Sequence, residues 1–228
     1  MTWHELLFMH WPVEVSQLQS LIPSSLEIDT FEGQAWISIV PFRMSGVAPR
    51  WCPNLPWLSA FPELNVRTYV TDGQRGGVWF FSLDATNPVA VRVARRQFYL
   101  PYMDARISLQ RTDGWIRYIS HRTHRGEPAA ELDVSYRPLG ERHTTTPGTL
   151  EHWLTARYCM YMANRRGQLF VGEIDHAPWQ LQSAHMTMHR NTMTHWLNLA
   201  TDTPPPLVQY AHLTQVRAWR KCTFESAT

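Results

Sequence analysis

Alternation of polar and apolar positions is the strongest pattern in this chain, and it is clearest in ELNVRTYV, residues 63–70. On a β-strand, successive side chains point to opposite faces. One face of this segment is therefore largely apolar, and the other carries Glu63, Asn65, Arg67 and Tyr69. The pattern predicts a strand whose polar face points either to water or into an interior pocket.

Most other patterned segments also predict strands, because they combine alternation with β-branched and aromatic residues. Asp-Gly and Gly-Gly pairs in residues 71–77 predict a hairpin, and Asp113-Gly114 predicts another. The predicted strands, besides residues 63–70, are residues 33–44, 76–84, 103–111, 114–122, 129–139, 169–176, 179–189 and 207–220.

Helical periodicity is limited to three places. The first is a short helix with Val15 and Leu18 on its apolar face, ended by Pro23, and the others span residues 88–98 and 150–162. We predict a mainly β fold, either a β-barrel or a strongly curved sheet capped by short helices, as a single domain over residues 1–228.

The segment of residues 46–62 has no regular period and contains four prolines. Such long connections are often functional. Its apolar residues predict either a lid over the mouth of a barrel or an exposed interaction surface.

Composition and charge limit the class of protein, its partners and its location in the cell. The 228 residues are 44% hydrophobic and 18% charged and include eleven tryptophans, which predicts a large core and excludes wholesale disorder. The formal net charge is +2, and the twenty arginines are scattered along the sequence. This pattern indicates neither nucleic acid nor membrane as a partner. The N-terminal residues lack the basic region of a secretion signal, and three cysteines without CxxC spacing read as reduced thiols, so a cytoplasmic protein is expected.

Several blocks together resemble the YqjF-like family of bacterial proteins of unknown function, which is remotely similar to acetoacetate decarboxylase. The blocks are LLFMHWPV, FPELNVRTYV, GVWFFSLDA, ARRQFYLPYMDA, LEHWLTARYCMY and HAPWQLQSA. The resemblance implies a closed antiparallel β-barrel with a central ligand pocket. Decarboxylase relatives assemble into oligomers, so an oligomer is possible here. A fold alone does not fix the function.

The resemblance also marks a departure from decarboxylase chemistry. In that enzyme a motif of the form Arg-x-x-aromatic-x-x-Pro-Lys-Lys supplies a Schiff-base lysine and a neighbouring cation. Here Arg95, Phe98 and Pro101 fit the motif, but Tyr102 and Met103 stand at the two lysine positions. Because imine formation needs an amine, Schiff-base decarboxylation is not expected, and no cofactor is implied.

What remains of the family pattern implies a pocket for a small carboxylate-bearing molecule. Glu63 falls where the decarboxylase carries its catalytic glutamate, and would serve as a base or an orienting acceptor. An arginine can bind a carboxylate through two parallel hydrogen bonds. The residues assigned to ligand binding are Asn65, Arg67, Tyr69, Arg95, Tyr102 and His10. The alternative is a half-exposed strand on which Glu63 and Arg67 form a structural ion pair.

Histidines and aspartates add further candidates. His10 and His176 each lie beside Pro and Trp, which suggests buried positions near the cavity, with His176 as the second catalytic candidate; the alternative is simple packing. His185 and His189 would stand roughly 13 Å apart on a strand, so no metal site is predicted. Asp84 is predicted to cap the helix that follows it.

The sequence therefore predicts a binding protein or a non-Schiff-base enzyme for a small organic acid. The alternative from another class is a protein-interaction module with a filled barrel and an exposed apolar loop.

Overall fold

A computed structural model describes residues 1–47 and 59–224. Three α-helices lie within these residues: α1 (Val15–Gln19), α2 (Pro88–Gln97) and α3 (Leu150–Thr155). The strands are β1 (Thr2–Val13), β2 (Glu27–Ile28), β3 (Ala35–Ser45), β4 (Phe61–Thr71), β5 (Gly76–Ala85), β6 (Tyr102–Thr112), β7 (Trp115–Arg122), β8 (Glu131–Thr144), β9 (Cys159–Ala163), β10 (Leu169–His176), β11 (Gln180–Asn191), β12 (Leu207–Ala218) and β13 (Cys222–Thr223).

All these strands join one sheet in the order β13-β10-β9-β5-β6-β7-β8-β11-β12-β1-β3-β4-β2. Additional pairings of β4 with β5 and of β10 with β12 curve the sheet into a barrel, whose end strands β13 and β2 are two residues long. The predicted mainly β barrel is thus confirmed, although it is not strictly closed. It is not wholly antiparallel either, because β5 runs parallel to β6 and β9. Helix α2 makes the crossover that a parallel β5–β6 pair requires.

The hairpin predicted from residues 71–77 is confirmed. Strands β4 and β5 pair from Thr71 opposite Gly76 to Glu63 opposite Ala85, with one bulge. Packing also requires a glycine at Gly77, since an added Cβ would lie 2.7 Å from the Tyr161 ring and 2.9 Å from the Cys159 carbonyl oxygen.

One prediction of secondary structure was wrong, and one strand was missed. The helix expected over residues 150–162 ends at Thr155, and residues 159–163 form strand β9, which pairs with both β5 and β10. Hydrogen bonding to two neighbouring strands has overridden the local helical pattern. Strand β1 was not assigned, because its central run from Leu6 to Trp11 is buried on both faces and, with His10 as its one polar residue, gives no alternation.

Both faces of β4 are buried. Leu64, Val66 and Val70 belong to one apolar cluster with β1 and β3 residues, including Met9 and Ile37. On the opposite face, Glu63, Asn65 and Tyr69 are 2%, 7% and 0% exposed. That face borders a second apolar cluster, which contains Phe8, Val40, Phe42 and Trp179. The expectation of a half-exposed strand is therefore wrong, and the polar face of β4 points into the protein.

Asp84 does not cap α2, contrary to the prediction. Asn87 is the N-cap, and its side chain accepts hydrogen bonds from the backbone N–H groups of Val89 and Ala90. Asp84 instead forms a buried ion pair with Arg122, at 2.8 Å for both Nε–Oδ2 and Nη2–Oδ1, and the Arg122 guanidinium also donates to Ser82 Oγ. This pair is on the Leu64 face of the sheet, away from Glu63.

Most of the segment predicted as a lid or interface, residues 46–62, lies outside the described residues. In the part of the chain that the structure describes, no helix is long and apolar enough to cross a bilayer.

We expect Arg122→Ala to lower the free energy of unfolding by about 3–5 kcal/mol, because it leaves the Asp84 carboxylate buried without its partner. Urea denaturation of the variant measures this loss. The matched control is Arg117→Ala, which breaks a similarly bidentate but exposed pair with Asp133 and should change stability little. Equal losses in the two variants would show that burial does not govern the Asp84–Arg122 pair.

Candidate functional site

Strand register brings polar side chains of three strands together on the inner side of β4. Arg67 lies opposite Ser38 of β3, and Ser38 lies opposite His10 of β1. Gln209 of β12 reaches the same place, because its side chain contacts His10. On β1, β3 and β12 each of these polar residues stands between apolar neighbours, and each is buried.

Glu63 occupies one end of this polar face. Burial raises the pKa of Glu63 to about 8, and the Asp84 charge on the other face of the sheet acts weakly in the same direction, while hydrogen bonding by Tyr102 and Asn65 partly lowers it. Glu63 Oε2 is buried without a hydrogen-bond partner in the described structure. At neutral pH the carboxyl is therefore protonated and can donate a hydrogen bond.

His10 lies at the other end within a chain of hydrogen bonds. Its Nε2–H donates to Gln209 Oε1 at 3.2 Å, so Nδ1 accepts from Ser38 Oγ at 2.6 Å. The Ser38 hydroxyl in turn accepts from Tyr69 OH at 2.7 Å. Burial, followed by the charge of Arg67, lowers the pKa of His10 to about 3. The ring is thus neutral at physiological pH, and both of its nitrogens are engaged.

Arg67 is the cation of the site. Its guanidinium carbon lies 5.8 Å from the ring centroids of both Phe8 and Tyr69, and Nη2 donates to the Leu154 carbonyl oxygen at a long 3.4 Å. Its Nε is buried without a hydrogen-bond partner. Within residues 1–47 and 59–224 no carboxylate forms an ion pair with Arg67, so the predicted alternative of a Glu63–Arg67 pair is wrong.

His176 stands at the end of β10 and is 6% exposed. Its Nδ1–H donates to the Ala177 carbonyl oxygen at 2.8 Å, and its ring packs between Tyr158 and Trp179 at 4.7 and 4.6 Å. Burial lowers the pKa of His176, and the Arg67 charge contributes to the same shift. His10 and His176 are therefore both within electrostatic reach of one arginine.

Tyr102 and Arg95, which stand at positions of the decarboxylase motif, contact different parts of the protein. The Tyr102 side chain reaches the Glu63 carboxyl, and burial, together with that carboxyl, raises the pKa of Tyr102. Arg95 Nη1 donates to the Tyr102 carbonyl oxygen at 2.7 Å, and Arg95 Nη2 lies 3.7 Å from Glu127. Arg95 thus supports the strand that carries Tyr102 and is turned towards a surface acid.

Four of the side chains on this inner face keep a buried polar atom without a partner in the described structure. Two of these atoms are oxygens and two are nitrogens that carry hydrogen: Glu63 Oε2, Asn65 Oδ1, Arg67 Nε and Gln209 Nε2. Sequence reasoning missed Gln209 and Ser38. The one signal for Ser38 is that it is the single hydroxyl within the apolar run WISIV, and Gln209 carries no comparable signal.

Glu63→Gln should flatten the pH dependence of stability between pH 5 and pH 8. The unfolded chain releases the Glu63 proton near 4.5 and the folded protein near 8. Because the folded state binds the extra proton in this window, the wild-type free energy of unfolding falls as pH rises, by up to about 1.4 kcal/mol per pH unit from this group. Urea denaturation at several pH values measures the slope, with exposed Glu141→Gln as the control. A Glu63→Gln slope equal to that of wild type would contradict the burial of this carboxyl.

The comparisons with known proteins agree on family and fold. The model of the DUF2071 family, described as an uncharacterized conserved protein, matches residues 1–215. Uncharacterized protein YqjF of Bacillus subtilis (strain 168) is 41% identical over 218 residues, which cover 96% of this chain and 89% of that protein.

Solved structures of low identity share the fold. Acetoacetate decarboxylase from Legionella pneumophila has a TM-score of 0.65 at 11% identity, covering 99% of this chain and 88% of that one. An acetoacetate decarboxylase-like enzyme from Sphingomonas wittichii RW1 has a TM-score of 0.65 at 13% identity, covering 99% and 92%. The enduracididine biosynthesis enzyme MppR complexed with pyruvate has a TM-score of 0.66 at 13% identity, covering 99% and 90%. The chain is thus a YqjF-like protein that belongs to the DUF2071 family and has an acetoacetate decarboxylase-like fold.

Proposed function

We propose that this protein binds a small organic acid on the inner polar face of β4, with Arg67 as the residue that binds the carboxylate. The observation that carries the proposal is the set of four buried, unpartnered polar atoms on Glu63, Asn65, Arg67 and Gln209. Buried polar groups in proteins are nearly always paired, so a set on one face indicates a missing partner.

Charge favours an anion as that partner. Arg67 carries a positive charge, and the described residues supply it with only one long hydrogen bond to a carbonyl oxygen. Its neighbours add no negative charge, since burial keeps Glu63 protonated at neutral pH and His10 neutral. Arg67 is partly exposed, and its Nε is buried. A bound carboxylate would pair with its charge and accept hydrogen bonds from Nε and Nη2 together.

The Glu63 end of the polar face suits an uncharged hydrogen-bond acceptor on the ligand. Glu63 and Arg67 are four residues apart on one strand, which separates their backbones by roughly 13 Å, with Asn65 between them. A protonated Glu63 can donate to a carbonyl or hydroxyl oxygen of the ligand, and Asn65 Oδ1 can accept from a hydroxyl. A 2-oxo or 2-hydroxy acid carries both kinds of group. One structure of this fold, MppR, is a complex with pyruvate, a 2-oxo acid, which supports the same class of ligand here.

Reaction chemistry at this site would proceed without an imine. Tyr102 occupies a lysine position of the decarboxylase motif. Lys221, the one lysine of the sequence, contacts the Gln97 carbonyl oxygen and the Tyr99 ring. Glu63 could exchange a proton with a bound acid because its pKa is near physiological pH, and His176 Nε2 is the second candidate. The proposed function is binding of the acid. Proton transfer at Glu63 would be a later step that takes place on the bound acid.

A thermal-shift screen of small carboxylic, 2-oxo and 2-hydroxy acids tests the proposal. An acid at about 100 times its dissociation constant should stabilise the fold by roughly 2.7 kcal/mol. We expect Arg67→Gln to abolish this stabilisation and Arg106→Gln, at an exposed arginine of β6, to preserve it.

Two results would count against an acid site. Stabilisation that survives in Arg67→Gln would place the ligand elsewhere, and the absence of any stabilising acid would favour the interaction module.

A further inference from the structure

A group of cations lines a cleft at the surface of the protein. Helix α2 and the turn between β9 and β10 enclose a cleft of about 770 Å³. Its lining includes Arg92, Arg95, Arg96, Arg165 and Arg166, and no acidic residue is among the described lining residues. These arginines are scattered in the sequence, which is why composition alone gave no indication of an anionic partner.

Two of the five arginines are already neutralised. Arg92 pairs with Asp104, and Arg95 pairs with Glu127. The other three, Arg96, Arg165 and Arg166, are exposed and form no ion pair with any residue of the described ranges.

Lys221 adds a fourth cation beside the cleft. Its ammonium lies 4.3 Å from the centroid of the Tyr99 ring, and Tyr99 lines the cleft. These four cations lie in or beside one cleft and have no acidic partner among the described residues, so their positive potentials add there.

Local structure orders the backbone segments that carry the cations. The Asn164 side chain accepts hydrogen bonds from the backbone N–H groups of Arg166 and Gln168, at 2.9 and 3.1 Å, which fixes the turn that carries Arg165 and Arg166. Arg96 lies in the last turn of α2 across the cleft. A site whose backbone is ordered before binding loses less free energy on ordering.

We propose that this cleft binds a small molecule that carries two or more linked phosphate groups. Guanidinium groups bind phosphate oxygens in pairs, and a diphosphate carries enough negative charge to match three or four cations. The cleft volume is in the range of small-molecule sites, whereas a nucleic-acid strand would need an extended basic groove. The proposal does not depend on the acid site at Arg67.

Isothermal titration with inorganic pyrophosphate at constant ionic strength tests the cleft. The test variant is Arg165→Gln/Arg166→Gln, and the control is Arg106→Gln/Arg217→Gln, which removes the same charge from two exposed arginines elsewhere. We expect the test variant to raise the dissociation constant for pyrophosphate at least tenfold. The control should change this constant less than twofold. Circular dichroism checks that each variant is folded, and Arg96→Gln replaces the double variant if that one unfolds.

Three outcomes would overturn the proposal. Equal weakening in test and control variants would show a general charge effect, and no binding at millimolar pyrophosphate would show that there is no such site. Binding only to anionic phospholipid vesicles, lost in Val89→Ser/Val93→Ser, would show instead that the exposed apolar side chains of α2 and its arginines contact a membrane surface.

Discussion

The burial of β4 on both faces is the constraint on which the rest of this structure depends. A strand with one polar face normally directs it to water. Here the apolar clusters on the two sides of the sheet shield Glu63, Asn65 and Tyr69 from water. The hydrogen-bond partners of these side chains must therefore lie inside the protein. The barrel therefore encloses a strip of polar groups within an apolar interior, where electrostatic interactions are strong and unpaired groups are costly.

The burial of β4 determines the protonation states of Glu63 and His10. These states in turn determine which ligand groups the site can bind. Burial moves the pKa values of Glu63 and His10 in opposite directions, and both shifts favour the neutral form at physiological pH. Arg67 cannot respond in this way because a guanidinium does not lose its proton in proteins. The polar face of β4 is left with one partly exposed cation, Arg67, that has no counter-ion among the described residues, which is the physical reason for proposing an anionic ligand.

Sequence patterns predicted most of the long strands, the β4–β5 hairpin and the polar residues of β4, because these features depend on local alternation and turn chemistry. Which face is buried could not be read from ELNVRTYV alone, since that depends on the strands that cover it. The same reason explains the missed contributions of Ser38 and Gln209, which reach the site through pairing between β1, β3 and β12. Residues 159–162 were mistaken for helix, and one of their two partner strands, β5, is distant in the sequence. The arginine cleft likewise exists only after folding.

Direct observation of the Glu63 carboxyl would test the central claim that the polar face of β4 is an enclosed ligand-binding surface. The measurement is the ¹³C chemical shift of side-chain carboxyls over a pH series in glutamate-labelled protein, with Glu63 assigned by its loss in Glu63→Gln. An enclosed face predicts that this carboxyl titrates near pH 8 and that its signal shifts when an acid from the thermal-shift screen is added. Titration near the ordinary value of 4.5, with no response to any acid, would contradict the claim.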